Sequence, residues 1–244
     1  MQLILDAIRE AIHLLISRDP YVMSVLARSL EVSGAAILMG ALIGIPAGTA
    51  VGLGRFRGRN LLVVLIHTGF ALPPTVVGLF VYLVLSRSGP LGMLEMLYTT
   101  RAMILAQVVI ATPYIAGITL AAVQAVPRDA GLQARALGAS RMQAVLAHVR
   151  EARLGMGAAL IAGFGSIFSE VGAVMIVGGN VLGETRVLTT AIVLETRRGN
   201  FAIAMALGLI VLLTAFAVNL VITRLQQRRV GDATWQAALE RTWA

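Results

Sequence analysis

One carboxylate in this chain stands where charge is costly. Glu170 lies in Ser169-Glu170-Val171-Gly172, inside an apolar run from about Gly155 to Val177. An acid at that depth in hydrocarbon must face other helices or a watery path. Two roles fit it: a hydrogen-bonded group tying helices together, with His67 or Thr68 as partner, or a gating group. A direct ligand role for a dianionic cargo is disfavoured, because ionised Glu170 would repel it. The second polar concentration is Pro127 to Arg153, PRDAGLQARALGASRMQAVLAHVREAR. Pro127 suits a first helical turn, Asp129 favours the positive end of the helix dipole, and Gly138 is placed as a left-handed stop. Ser140 and Gln143 have capping-box spacing, so two short helices hinged at Gly138 are predicted. Enzymatic chemistry has little to work with. There is no H-E-x-x-H or G-x-S-x-G, cysteine is absent, and the 3 histidines are scattered singly, as packing residues are. All 20 basic residues are arginine, so the chain lacks a P-loop lysine, and any ATP chemistry must come from another chain.

The elements that must position these residues are membrane spans. With 58% hydrophobic and 13% charged residues and a mean hydropathy of +0.85, the chain reads as an integral membrane protein. The net charge of +8 sits at the ends of apolar runs, where topology accounts for it without nucleic acid. Near the N-terminus, Asp6, Arg9, Glu10, His13 and Ser17 share one helical stripe opposite Ile4, Ile8, Ile12 and Leu15, which predicts an interfacial helix ended by Arg18-Asp19-Pro20. Arg28 and Glu31 are spaced to pair. A first span is expected at about Val32 to Leu53, with Pro46 kinking it. Its small-residue stripe of Ala36, Gly40, Gly44, Gly48 and Gly52 admits close approach by another span or a second copy.

Arg55, Arg57 and Arg59 form the densest short basic loop, which the positive-inside rule places in the cytoplasm with the N-terminus outside. A second span, about Leu61 to Leu85, contains Pro73 and Pro74. Tandem prolines remove two N–H donors, so the helix should break where protein or a polar cavity surrounds it. Ser88-Gly89-Pro90 is a turn and Leu91 to Tyr98 a short interfacial helix. A third span, about Ala102 to Val126, carries Pro113 and leads to the arginine-bearing segment, where Arg128, Arg135, Arg141, Arg150 and Arg153 agree with a cytoplasmic face. After the fourth span, Val187 to Leu194 is too short to cross and reads as a half helix. Glu184, Arg186, Arg197 and Arg198 around it are either solvated ends or contacts for a docking partner or anion. A last span, about Phe201 to Thr223, ends at Arg224, Arg228 and Arg229 on the cytoplasmic side. The tail to Ala244, from about residue 224, carries no assigned function. No repeat or composition break divides residues 1–244, so one membrane domain is expected.

Ala134, Gly138, Ala139 and Ser140 resemble the coupling loop of ABC importer permeases, with its Glu-Ala-Ala, three residues, Gly pattern; Leu132 and Gln133 stand at its Glu and Ala. The passage LPPTVVGLFVYLVLSRSGPLG resembles molybdate and tungstate permeases, and SEVGAVMIVGGNVLGETRVLTTAIVLETRRGNFAIAMALG is most similar to tungstate-uptake permeases. The resemblance covers about Val32 to Thr223. It implies an all-α type I importer permease with about five transmembrane helices, an interfacial helix and a cytoplasmic coupling loop at about 127–153. It also implies that the chain moves an oxyanion across the inner membrane of a bacterium or archaeon as a homodimer, with two ATPase subunits holding ATP and Mg and with an extracytoplasmic tungstate- or molybdate-binding protein. The chain itself would bind no cofactor. Arg128, Ala134, Arg135, Gly138, Ala139, Ser140 and Arg141 would couple to the ATPase. Pro73, Pro74, Ser169, Glu170 and Gly172 would line the pathway or its gate.

Molybdate or sulfate is the alternative cargo. A secondary transporter, working without an ATPase, is the alternative class. Against it stand the odd span count and the lack of repeated halves.

Overall fold

Arg18 turns the chain into the left-handed region, with φ of 51°, and so closes the first helix. Asp19 then opens the next one, its carboxylate accepting the Val22 N–H at 3.0 Å, with Pro20 in the first turn where no N–H is needed. The computed structural model describes residues 2–127, 133 and 135–242, with side chains given for these except 2, 3, 7, 225 and 227–242. All regular structure among them is helical: α1 (Gln2–Ile16), α2 (Pro20–Leu53), α3 (Arg59–Ala71), α4 (Pro74–Leu85), a single 3-10 turn (Gly92–Leu94), α5 (Thr100–Ala125), α6 (Arg141–Glu151), α7 (Arg153–Phe168), α8 (Gly172–Gly178), α9 (Leu188–Arg197) and α10 (Phe201–Thr242).

α5 is the hub, with 61% of its most apolar window buried. It packs on α2, α3, α4, α7 and α8. Its closest partner is α2, and the small-residue stripe is the reason. A Cβ added at Gly44 would lie 2.9 Å from Ile115 Cβ, and one at Gly52 would lie 3.2 Å from Val123 Cγ1. The stripe is therefore filled from within the chain. The opposite face of α2 presents Leu38 and Leu42, 67% and 76% exposed. An apolar face left bare in this way belongs to a helix solvated by lipid.

Among the described residues, three helices are long and apolar enough to cross a membrane, and the number rises to five if each of two bent pairs counts as one span. α3 and α4 meet at 103° across Leu72–Pro73, the break expected from the tandem prolines. α7 and α8 meet at 59° across Ser169–Val171, where a continuous span was expected.

Other expectations shift in detail. The first long helix starts at Pro20, not near Val32, because the Asp19 cap begins it before the apolar run; it continues uninterrupted through Pro46. The interfacial helix expected over Leu91 to Tyr98 is reduced to the 3-10 turn, with Glu95 and Tyr98 at φ of 47° and 59° stopping it. The last helix continues past the expected end at Thr223 to Thr242.

α1 lies on α10 through buried Ala11, leaving Ile4 and Ile12 outward at 55% and 52% exposure, as an interfacial helix requires. α9 is short and buried, and its first turn is served from a distance. The Ser29 hydroxyl on α2 accepts the Leu188 N–H at 2.8 Å while donating to Val25 O at 2.7 Å. Ser29→Ala should strand that buried N–H, at a cost of about 1–3 kcal/mol. Thermal unfolding of the detergent-solubilised protein is expected to shift down by roughly 3–8 °C; an unchanged melting temperature would show that this bond does not hold α9.

Candidate functional site

The two helix breaks lie against each other. Gly78 in α4 has no room for a Cβ, which would come within 2.6 Å of Ala173 Cα in α8, and a Cβ at Gly172 would strike the methyl of Thr75. Pro73, Pro74, Glu170 and Gly172, far apart in sequence, thus gather at one junction, with Ser169 exposed beside it.

Several of the backbone groups at the breaks find partners. The Pro73 carbonyl accepts from Val76 N and Val77 N at 2.9 and 3.2 Å. Glu170 Oε1 accepts the Ala173 N–H at 2.8 Å, so the acid caps α8, and its bonds among the described residues do not involve His67 or Thr68. Thr189 Oγ1 donates to Glu170 O at 3.0 Å, and Gln107 Nε2 donates to Ile167 O at 3.0 Å. Gln107 Oε1, buried, has no partner among the described residues. Sequence reasoning missed both Gln107 and Thr189. A polar residue at a buried position of an apolar helix was the available signal.

The cap supplies a prediction. Glutamine retains a carbonyl acceptor for the Ala173 N–H and leucine does not. Glu170→Gln should keep more than half of wild-type uptake, while Glu170→Leu should lose most of it at equal expression. Equal loss in both variants would assign the role to the charge itself.

At the opposite end of α2 and α5 lies the arginine-bearing segment. Arg128 and Ala134 fall outside the described residues, as does most of the first predicted short helix. Gly138 takes φ of 89°, a left-handed stop as predicted, and its N–H bonds to Arg135 O at 3.0 Å. The capping box is present: Gln143 N donates to Ser140 Oγ at 3.3 Å, and Ser140 N donates to Gln143 Oε1 at 2.8 Å. Arg135, Ser140 and Arg141 are exposed, and Ala139 is half-buried. One face of α6 holds it to the bundle through buried Ala144 and His148, whose Nε2 lies 2.9 Å from Val123 O at the end of α5. Away from that face, Leu137 and Met142 are bare, 89% and 76% exposed. His148 is the packing histidine that scattered single histidines imply.

The remaining loops gather at the other end. Arg28 pairs with Glu31 at 2.8 Å, as their spacing predicts, and reaches Gly183 O at 3.4 Å. Arg186 bonds Asn180 at 3.2 Å, and buried Glu195 binds Arg198 at 3.0 Å and Asn200 at 2.8 Å. Arg186 and Arg198 are therefore tied down rather than simply solvated.

A helical bundle with lipid-facing outer surfaces, two broken spans abutting inside it and a capped amphipathic segment at one end is the membrane subunit of a transporter. The chain belongs to the family described as binding-protein-dependent transport system inner membrane component, whose model matches residues 40–231. It is 45% identical to a probable anion ABC transporter permease protein of Haloferax volcanii, over 86% of this chain and 93% of that one. It is 37% identical to the tungstate uptake system permease protein TupB of Peptoclostridium acidaminophilum, over 93% of this chain and all of that one. Against the protein of the same name from Campylobacter jejuni it is 33% identical, over 92% and 94% of the two chains. Its fold matches a chain of a bacterial ABC transporter that imports alginate, with a TM-score of 0.69 at 19% identity over 84% of this chain and 79% of that one. The chain is accordingly an ABC importer permease, a conduit and not itself a catalyst.

Proposed function

We propose that the chain forms the membrane pathway for a tetrahedral oxyanion, with tungstate the first candidate, driven by ATP hydrolysed on a separate pair of subunits. The observation that carries the cargo is the near full-length similarity to two permeases named for tungstate uptake. Sulfate permeases, at 25–28% identity, and a molybdate/tungstate permease, at 28%, rank behind them. In this reading residues 1–244 act as one membrane domain, two copies pair, and an extracytoplasmic protein delivers the anion.

The segment around Gly138 is the coupling element. Its bare Leu137 and Met142 give an ATPase cleft apolar surface to grip, and His148 passes the resulting push to α5. The junction of Pro73, Pro74, Ser169, Glu170 and Gly172 is the part that yields, since both helices are already interrupted there and a shift of their halves breaks no continuous helical ladder. ATP and Mg belong to the partner. The N-terminus lies outside and the C-terminus in the cytoplasm.

The test is uptake in a deletion strain, comparing tungstate, molybdate and sulfate with and without the neighbouring ATPase. Preference for tungstate and dependence on the ATPase are expected; uptake without any ATPase would move the chain to the secondary transporters. Single cysteines at positions 57 and 141 should label only from the cytoplasm, and labelling from outside would invert the topology.

A further inference from the structure

Four arginines from distant parts of the chain surround one concavity. Arg55 comes from the α2–α3 connection, Arg59 opens α3, Arg135 precedes Gly138, and Arg141 opens α6; together with the ends of α2 and α5 they line an open concavity of about 930 Å³. Among the described residues that line it there is no carboxylate. Among the described residues, Arg55, Arg135 and Arg141 have no ion-pair partner. Among the described residues, the hydrogen bond of Arg59 is from its Nε to Val51 O at 2.8 Å.

The carbonyl ends of α2 and α5 attract cations, and that explains the Arg59 contact. It leaves the other three guanidinium groups unspent. Four positive charges held around one space repel one another, and a group with several acceptor oxygens offers each of them a charge-assisted bond.

We propose that this pocket binds a phosphate-class tetrahedral oxyanion group, supplied either by the headgroup of an anionic phospholipid or by a free anion. The position favours the headgroup, because the pocket is walled by the last turns of two membrane helices, where headgroups lie and where basic pockets between spans recruit acidic lipid. The inference rests on the pocket's own residues and not on the identity of the cargo.

The experiment uses the purified full-length chain. Inorganic phosphate binding is measured by equilibrium dialysis in a non-ionic detergent. Phosphatidylglycerol binding is measured by native mass spectrometry and by thermal shift between nanodiscs of phosphatidylcholine alone and of phosphatidylcholine with phosphatidylglycerol. Arg55→Gln should weaken binding roughly fivefold, and R55Q/R59Q by about the square of that. Arg55→Lys should stay close to wild type. Because Arg55 is exposed and makes no described contact, its replacement leaves folding intact, which size-exclusion elution checks. Phosphatidylglycerol binding that falls in the glutamine variants identifies a headgroup site, and phosphate binding that falls identifies a free-anion site. If wild type binds neither probe, or Arg55→Gln binds both as wild type does, the proposal is overturned.

Discussion

Gly48→Val is expected to leave little correctly assembled protein in the membrane. A Cβ at this position would press into the carbonyl oxygen of Ala116 and come within 2.9 Å of Thr119 Cβ. Neither obstacle can swing aside, since one is helix backbone and the other a β-branched stem on the hub helix. Overpacking of this kind costs about 1–3 kcal/mol even where neighbours relax. In lipid it acts on the main force holding two helices together, because apolar side chains gain almost nothing by leaving hydrocarbon for protein. Loss of the monodisperse size-exclusion peak is expected, or a melting temperature lower by roughly 5–10 °C. Gly34→Val is the matched control, since nothing lies within 4 Å of a Cβ there. If both variants behave alike, the contact between α2 and α5 is not what holds the bundle.

Gly138→Val should fail differently, with normal insertion and at least a tenfold loss of uptake. Among the described residues, no heavy atom lies within 4 Å of a Cβ at Gly138, so the substitution tests chiefly the backbone. With φ of 89° the residue sits where an L side chain costs about 1–2 kcal/mol, and a β-branched one more. The chain would escape by changing the angle at which the coupling segment enters α6, and the proposed mechanism depends on that angle. Gly138→Asn, which tolerates left-handed geometry, should retain substantial transport, and Gly138→Ala should fall between. Wild-type uptake in the valine variant would remove the hinge from the mechanism.

Local punctuation was readable from the residues. Tandem prolines at 73 and 74 predict a break, and the helix bends by 103° there. Serine and glutamine three apart predict the capping box that opens α6, and glycine at 138 predicts the left-handed stop. Each is decided within one turn of helix by donors, acceptors and sterics that adjacent residues supply themselves. The stripe from Ala36 to Gly52 likewise announces a close helix approach, but its partner stayed open between another span and a second copy. Only packing assigns it to α5.

The second break went unforeseen for the same kind of reason. Around Ser169 there is no proline, so the local chain has no cause to bend. The bend persists because Gln107, Thr189 and the Glu170 carboxylate reach its released backbone groups. The sequence alone determined which residues can begin, stop or interrupt a helix, since those choices are settled by neighbours along the chain. Tertiary structure decided which interruption is sustained and what lies beside it, because inside a membrane an open backbone group is costly unless another polar group comes to meet it. At the second break those groups come from distant parts of the chain.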